Sequence, residues 1–337
     1  VALRSLVASI PGARALVGRL RAGRARLRSA RAVLGAKLLT IPAVHSLAER
    51  WRLVAPSVGY DDRPATEQIR DDLRELRRTN RRSRRSVVDP ATPAVVTMTT
   101  HGSRIEHVHV AIESIARGTV RPARLMLWLD DPTLRLPRTI RRLQRRGLEV
   151  LQAEPGYRVH TKYYPYVSSV PRHETPLVTS DDDIVYPPTW LEDLNAAGKA
   201  QPDAVHCHRA HRIEFVGEDF APYLRWTPCV STEPSYRNFG TSVSGQWFPP
   251  RLLDRLREEG TRFLQVAAHA DDIWLHRVAV AAGVPTAQLT TEPKHFPFVP
   301  RTQATGLYFH NAVADGNNEQ VAATYTDDER TAIRQAR

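Results

Sequence analysis

Cysteine is nearly missing from this sequence. Only Cys207 and Cys229 occur, with no CxxC spacing, which excludes a disulfide framework and a structural zinc cluster and points to a reducing cytoplasm. No run of 18 apolar residues exists, so no spanning helix is expected. Arginines interrupt the N-terminal apolar stretch too often for a cleaved signal peptide. Lysine is scarce too, at 4 of the 48 basic residues, and residues 1–38 contain no acid at all. The formal excess of +12 sits wholly in residues 1–90, with 20 Lys/Arg against 8 Asp/Glu. Over residues 91–337 the charges cancel, 28 against 28, which argues against a nucleic-acid groove in that part.

What is present is enough for a core. The chain has 337 residues, 42% of them apolar, room for one large α/β domain and an appendage. Residues 1–38 interleave Leu16, Val17, Leu20, Leu27, Val33 and Leu34 with nine basic residues. Three readings fit that pattern: an amphipathic helix on an anionic membrane surface, a loosely ordered basic tail, or a nucleic-acid contact. The first is the partner expected here, and no nucleic acid is expected. A second helix is expected over 64–85, with Ile69, Leu73 and Leu76 on one stripe, dissolving into the charged stretch RRTNRRSRRS. Residues 1–90 thus read as a basic helical N-terminal extension and linker, and 91–337 as the folded domain.

From residue 94 the pattern alternates. Ala94–Met98, Leu125–Leu129, Leu148–Leu151 and Leu177–Thr179 read as buried strands. Ile105, Val108, Ile112 and Ile115 recur at helical spacing behind a Ser103/Glu106 capping box, and Gly118 stops that helix. Such an order predicts an α/β fold, a mostly parallel sheet flanked by helices. Ligands gather at the carboxyl ends of such strands, where Thr99–Gly102, Asp130-Asp131 and Asp181–Asp183 fall. After residue 200 the order loosens: a strand at Ala204–His208, helices at Arg251–Glu259 and from Asp271, and little periodicity beyond 291.

The run Asp181-Asp182-Asp183 carries the chemistry. Three adjacent carboxylates at a strand end repel one another unless a cation joins them, and their oxygens suit Mg²⁺ or Mn²⁺. The plain alternative is a solvated acidic turn capping the next helix. Likewise Asp271-Asp272 at a helix start is either a functional pair or an N-cap. His206, Cys207, His208 and His211 do not converge as a zinc set on a strand.

Six ordered segments then converge on one resemblance. VVTMTTHGSR (95–104), LMLWLDDP (125–132), HTKYYPYV (160–167), LVTSDDDIVYPPTWL (177–191), GTSVSGQWFPP (240–250) and ADDIWLHRVAVAAGVP (270–285) resemble the family-2-like bacterial glycosyltransferases of the GT-A (Rossmann-like) fold, of the capsule and cell-surface polysaccharide type. The resemblance implies a nucleotide-sugar donor, a divalent metal and transfer to an acceptor hydroxyl, on a glycan or lipid-linked acceptor. The scarcity of cysteine and the basic residues 1–38 add the expectation of a cytoplasmic enzyme on the inner membrane face. By position it implies Asp183, Asp181 and a late His310 at the metal. It places Thr99, His101, Arg104, Asp130, Lys162, Asp181 and Asp182 around the donor, and Trp226 and Trp247 on the acceptor side. Asp272 takes the place of the base and Asp271 its acidic neighbour, though the family's usual pair is Glu-Asp. The competing readings are a sugar-phosphate nucleotidyltransferase, for which HGSR is a poor first loop, and a non-catalytic basic nucleic-acid- or surface-binding protein.

Overall fold

A computed structural model describes residues 69–300, 302 and 316–336. The basic segment 1–38, the expected helix start at Pro64 and His310 lie outside the described residues.

Helix α1 (Arg70–Arg82) turns Leu73 and Leu76 inward, against Val110, Val185 and Val299. Each such burial contributes about 1.5–3 kcal/mol. Polar contacts strengthen the attachment. Asn80 Nδ2 donates to Glu113 Oε1 at 3.1 Å, and the same carboxylate pairs with Arg146 at 2.5 Å. The stretch after α1 does not hang free: Val87 is fully buried, and its N–H donates to the Arg146 carbonyl. Residues 69–90 therefore pack on the α/β body, and the boundary expected at residue 90 falls inside packed chain.

The body alternates as expected: β1 (Val95–Thr99), α2 (His109–Ala116), β2 (Arg124–Leu129), α3 (Arg138–Gln144), β3 (Leu148–Gln152), α4 (Tyr164–Ser169), β4 (Leu177–Thr179) and α5 (Trp190–Ala200). The Ser103/Glu106 capping box does not form. Gly102, at φ +51°, opens a 3₁₀ turn over Gly102–Glu106, and α2 begins only at His109.

Then come β5 (Val205–Cys207), β6 (Ala210–Arg212), β7 (Phe215–Val216), β8 (Asp219–Phe220), β9 (Thr227–Pro228), β10 (Asn238–Gly240), β11 (Gln246–Phe248), α6 (Pro250–Glu259), α7 (Phe263–Val266), α8 (Asp271–Ala281) and β12 (Thr286–Gln288). The seven-stranded sheet runs β12-β5-β11-β4-β1-β2-β3. Six strands are parallel, and β11 alone runs against its neighbours β4 and β5. This is the expected α/β layering, with one short antiparallel strand in the middle that the apolar pattern did not announce. One core lies on each face of the sheet.

The stretch beyond 291, read as aperiodic, is structured where it is described. Residues 297–299 run alongside the acidic run: Val185 N–H donates to the Pro297 carbonyl, and Val299 N–H to the Asp183 carbonyl. Helices α9 (Gly316–Thr324) and α10 (Asp327–Gln335) pack near α8, where Arg277 bridges Glu259 at 3.0 Å and Glu329 at 2.8 Å. No described helix is long and apolar enough to cross a membrane.

Candidate active site

The strand ends of β1 and β4 lie side by side, since Thr97 is in register with Thr179. The loops that follow them therefore meet. Asp182 and Asp183 are each only 6% exposed, so the solvated acidic turn is ruled out. The next helix also goes uncapped by any side chain. Arg104, from the β1 loop, turns inward and pairs with both carboxylates, at 2.8 Å from Asp182 Oδ1 and with Asp183 Oδ2. Thr100 Oγ1 donates to Asp182 Oδ2 at 2.5 Å. Burial raises Asp182, against the opposing pull of Arg104 and Thr100.

Asp181 faces another way. Its backbone N–H donates to Tyr186 Oη at 2.7 Å, and its Oδ1 lies 2.7 Å from Lys162 Nζ. The same ammonium stands 3.0 Å from Asp271 Oδ2. That oxygen is buried and has no aligned hydrogen-bond donor, so the contact is an ion pair rather than a hydrogen bond. Burial alone would lower Lys162, but Asp181, Asp271 and Asp272 outweigh it and hold the ammonium well above its ordinary range. Lys162 ends a 3₁₀ turn (Arg158–Lys162) anchored by His160. That ring stacks on Phe263 and donates through Nε2 to the Ala267 carbonyl at 2.8 Å.

Helix α8 is buried along nearly all its length, and its first turn carries Asp271 and Asp272. Neither caps it. The N-cap is Ala270, with no side-chain cap bond. Asp272 Oδ1 accepts from the Ser242 N–H at 2.8 Å, from the Ser242 hydroxyl and from Gln246 Nε2 at 3.1 Å. Its other oxygen, Oδ2, has no hydrogen bond among the described residues. Burial, with the adjacent Asp271 charge, pushes Asp272 up to about 7, against the pull of Lys162 and Ser242. The Ser242 loop is seated by Trp190, whose indole donates to the Ser244 carbonyl at 2.8 Å. Gly245 lies over that ring at φ +91°, where an added Cβ would come within 2.6 Å of it. Ser242, Gln246 and Thr100 were not singled out from the sequence, although all three lie inside the motifs.

The remaining expected residues divide. Thr99 Oγ1 donates to the Trp128 carbonyl at the mouth, His101 is exposed beside Asp182, and Asp130 is partly exposed at the end of β2. The two tryptophans must be corrected. Trp226 is 5% exposed, donates to the Ala221 carbonyl and packs on Tyr223 and Phe239. Trp247 is equally buried and presses on Gly198 of α5. Both rings are core and present no face to a sugar. The histidines in and just after β5 are spoken for on one side: His206 and His208 bond through Nε2 to the carbonyls of Gln201 and Trp190. Two surface concavities, about 560 Å³ along α1 and about 640 Å³ between α5 and β12, contain none of the acidic cluster.

The cluster's donor chemistry fits a hard divalent cation. Among the described residues, Asp181 and Asp271 pair with Lys162, and Asp182 and Asp183 with Arg104, while burial first, and the adjacent Asp271 charge second, keep Asp272 raised. Among the described residues no three acidic, His or Cys side chains converge on one point.

Neither a family model nor a curated protein sequence matches this chain. Among solved structures it is similar to the mannosyltransferase PcManGT from Pyrobaculum calidifontis, in complex with GDP-Man and Mn²⁺. There the TM-score is 0.42 and the identity 16%, over 69% of this chain and 64% of that one. It is also similar to S. aureus TarS 1-349, with a TM-score of 0.42 and 11% identity over 71% and 68% of the two chains. The same protein in complex with UDP gives a TM-score of 0.41 at 11% identity. The chain thus spans less than two thirds of the mannosyltransferase's length.

Proposed function

We propose that this chain is a glycosyltransferase that moves a sugar from a nucleotide-sugar donor to an acceptor hydroxyl, with inversion at the anomeric carbon. The observation that carries the reading is Asp272, held by Ser242 and Gln246 through Oδ1 and pushed up to about 7. A base works best with a pKa near the operating pH. Oδ2 is the oxygen left to take the acceptor proton. As the acceptor oxygen bonds to the anomeric carbon, the bond from that carbon to the donor phosphate breaks, and its electron pair leaves on the diphosphate. Lys162 and Arg104 are the cations nearest that developing charge. Thr99, His101 and Asp130 line the mouth for the nucleoside.

Asp183 and Asp181, with His310, would hold Mn²⁺ or Mg²⁺, which when bound offsets the charge of the leaving diphosphate. Asp271 keeps Lys162 in place. The acceptor in this reading is a glycan or lipid-linked sugar of the cell surface. The enzyme works in the cytoplasm, with residues 1–38 on the inner membrane face. A hydrolysis screen of nucleotide sugars with Mn²⁺ or Mg²⁺ tests the proposal without knowledge of the acceptor. Slow, chelator-sensitive release of a nucleoside diphosphate from one donor is the expected result. Absence of hydrolysis and of binding for every donor overturns it.

A further inference from the structure

Among the described residues three arginines are buried beyond nine-tenths: Arg146, Arg209 and Arg277. Arg146 pairs with Glu113, and Arg277 with Glu259 and Glu329. Arg209 has no carboxylate within ion-pairing distance among the described residues. Its Nε donates to His295 Nε2 at 3.0 Å and its Nη1 to Thr241 Oγ1 at 2.8 Å, while Nη2 makes no hydrogen bond among the described residues. A guanidinium stays charged at any working pH, and a buried charge without a counter-charge is costly. The neighbours do not supply one. His295 accepts from Arg209 through Nε2 and carries no negative charge. Burial, Arg209 and His295 push His211 down to about 3.

The position gives this cation a use. Arg209 follows β5, on the same sheet edge as the acidic run, and grips Thr241 twice: Nη1 holds its hydroxyl, and the Thr241 N–H returns to the Arg209 carbonyl at 3.0 Å. The next residue, Ser242, holds Asp272. One two-residue loop thus joins an unpaired buried cation to the proposed base. Lys162, at the end of the turn before α4, and Arg104, in the β1 loop, are the proposed diphosphate cations; both pair with the acidic run after β4, which β11 separates from β5 in the sheet.

We infer that Arg209 binds an acidic group, phosphate or carboxylate, carried by the acceptor sugar, and so positions the acceptor hydroxyl against Asp272. This rests on the glycosyltransferase reading for its use, but the anion site can be tested without transfer.

The full chain is titrated by calorimetry with glucose 6-phosphate, glucuronate and glucose, and separately with UDP and GDP. At least one acidic sugar should bind, at least about 10-fold more tightly than glucose, and the better of the two identifies the group. Arg209→Gln should weaken that binding by about 10- to 100-fold, the scale of one charge-assisted hydrogen-bonded contact, and Arg209→Lys should recover part of it. If Arg209→Gln does not fold, the Nε–H resonance of Arg209 in the native chain should still shift on adding the acidic sugar. Equal affinity for glucose and both acidic sugars overturns the inference. So does a nucleoside diphosphate that loses as much affinity in Arg209→Gln as the acidic sugar does, because the anion would then belong to the donor. Acidic-sugar binding at Arg209 in a chain that hydrolyses no nucleotide sugar leaves the anion site standing and removes the transferase reading. Donor hydrolysis with no Arg209-dependent binding removes only the inference.

Discussion

Asp181, at the end of β4, and Asp271, at the start of α8, are joined through one ammonium: Lys162 Nζ lies 2.7 Å from the first and 3.0 Å from the second. The strand-end acidic run and the helix-start acidic pair are therefore one electrostatic unit. Because the helix is buried and clamped through Arg277 to α6 and α10, it cannot move off to relieve the repulsion. Lys162 keeps the carboxylates together, while burial and the neighbouring Asp271 charge make Asp272 hold its proton more tightly.

Removing the ammonium should therefore do two things. Lys162→Met leaves buried carboxylates uncompensated, which costs about 3–5 kcal/mol and should appear as a lower midpoint in denaturant. Since Lys162 lowers Asp272, its loss should also move the acid limb of any remaining donor hydrolysis to higher pH. An unchanged midpoint and an unchanged limb would show that the pairing contributes nothing.

The Asp272 carboxyl makes a pH prediction whose sign can be worked out. Its folded value, about 7, lies above the ordinary 3.8. Between those values the folded state holds a proton that the unfolded state has lost, so stability falls as pH rises through that window. Catalysis runs the other way, because the base must be ionised, and kcat/KM should climb toward a plateau above about pH 7. Asp272→Asn should flatten the stability profile between about pH 4 and 7 and lower transfer by about 10²–10⁴-fold. A product of retained configuration would remove the need for a base here.

The parts of the fold and site that were legible are those where local pattern and tertiary demand agree. Strands β1 to β4 and the start of α8 lie within a residue or so of where apolar runs and turn signals put them. Asp181–Asp183 stood out because three like charges at a strand end repel one another, and Asp271-Asp272 through the resemblance, as an acidic pair opening a late helix. Strand β11 was illegible because Gln246 breaks its apolar pattern: its backbone pairs in the sheet, but its side chain turns to Asp272. Helix α9 carries no apolar stripe of its own, so nothing local announces it. Trp226 and Trp247 misled because a Pro-rich, aromatic stretch reads alike whether its rings face a sugar or a core. Nor can a sequence tell that Arg104 turns inward onto Asp182 and Asp183.

Asp183→Ala tests the cation site. Removing this carboxylate frees Arg104 from one partner and takes an oxygen ligand from the proposed metal. The expected outcome is loss of the Mn²⁺-dependent part of nucleoside-diphosphate binding, with metal-free binding changed by less than about 3-fold and the melting temperature near the native value. Calorimetry with and without a chelator measures both parts. Equal affinity in all four combinations of protein and chelator would remove Asp183 from the metal.

Two truncations separate the basic segment from the packed helix. Residues 1–90 hold the whole net charge, yet α1 buries Leu73 and Leu76, and Asn80 bonds to the buried Glu113 that pairs with Arg146. A chain starting near residue 60 should keep donor hydrolysis and its melting temperature while losing affinity for anionic vesicles, a loss that rising salt should mimic in the full chain. A chain starting near residue 90 should lose stability as well, because it exposes an apolar stripe and leaves Glu113 one hydrogen bond short, the latter alone costing about 1–3 kcal/mol. Asn80→Ala in the full chain isolates that last contribution. If the residue-90 chain melts with the residue-60 chain, α1 is not part of the folded body. If the residue-60 chain still sediments with anionic vesicles as the full chain does, the membrane reading of residues 1–38 fails.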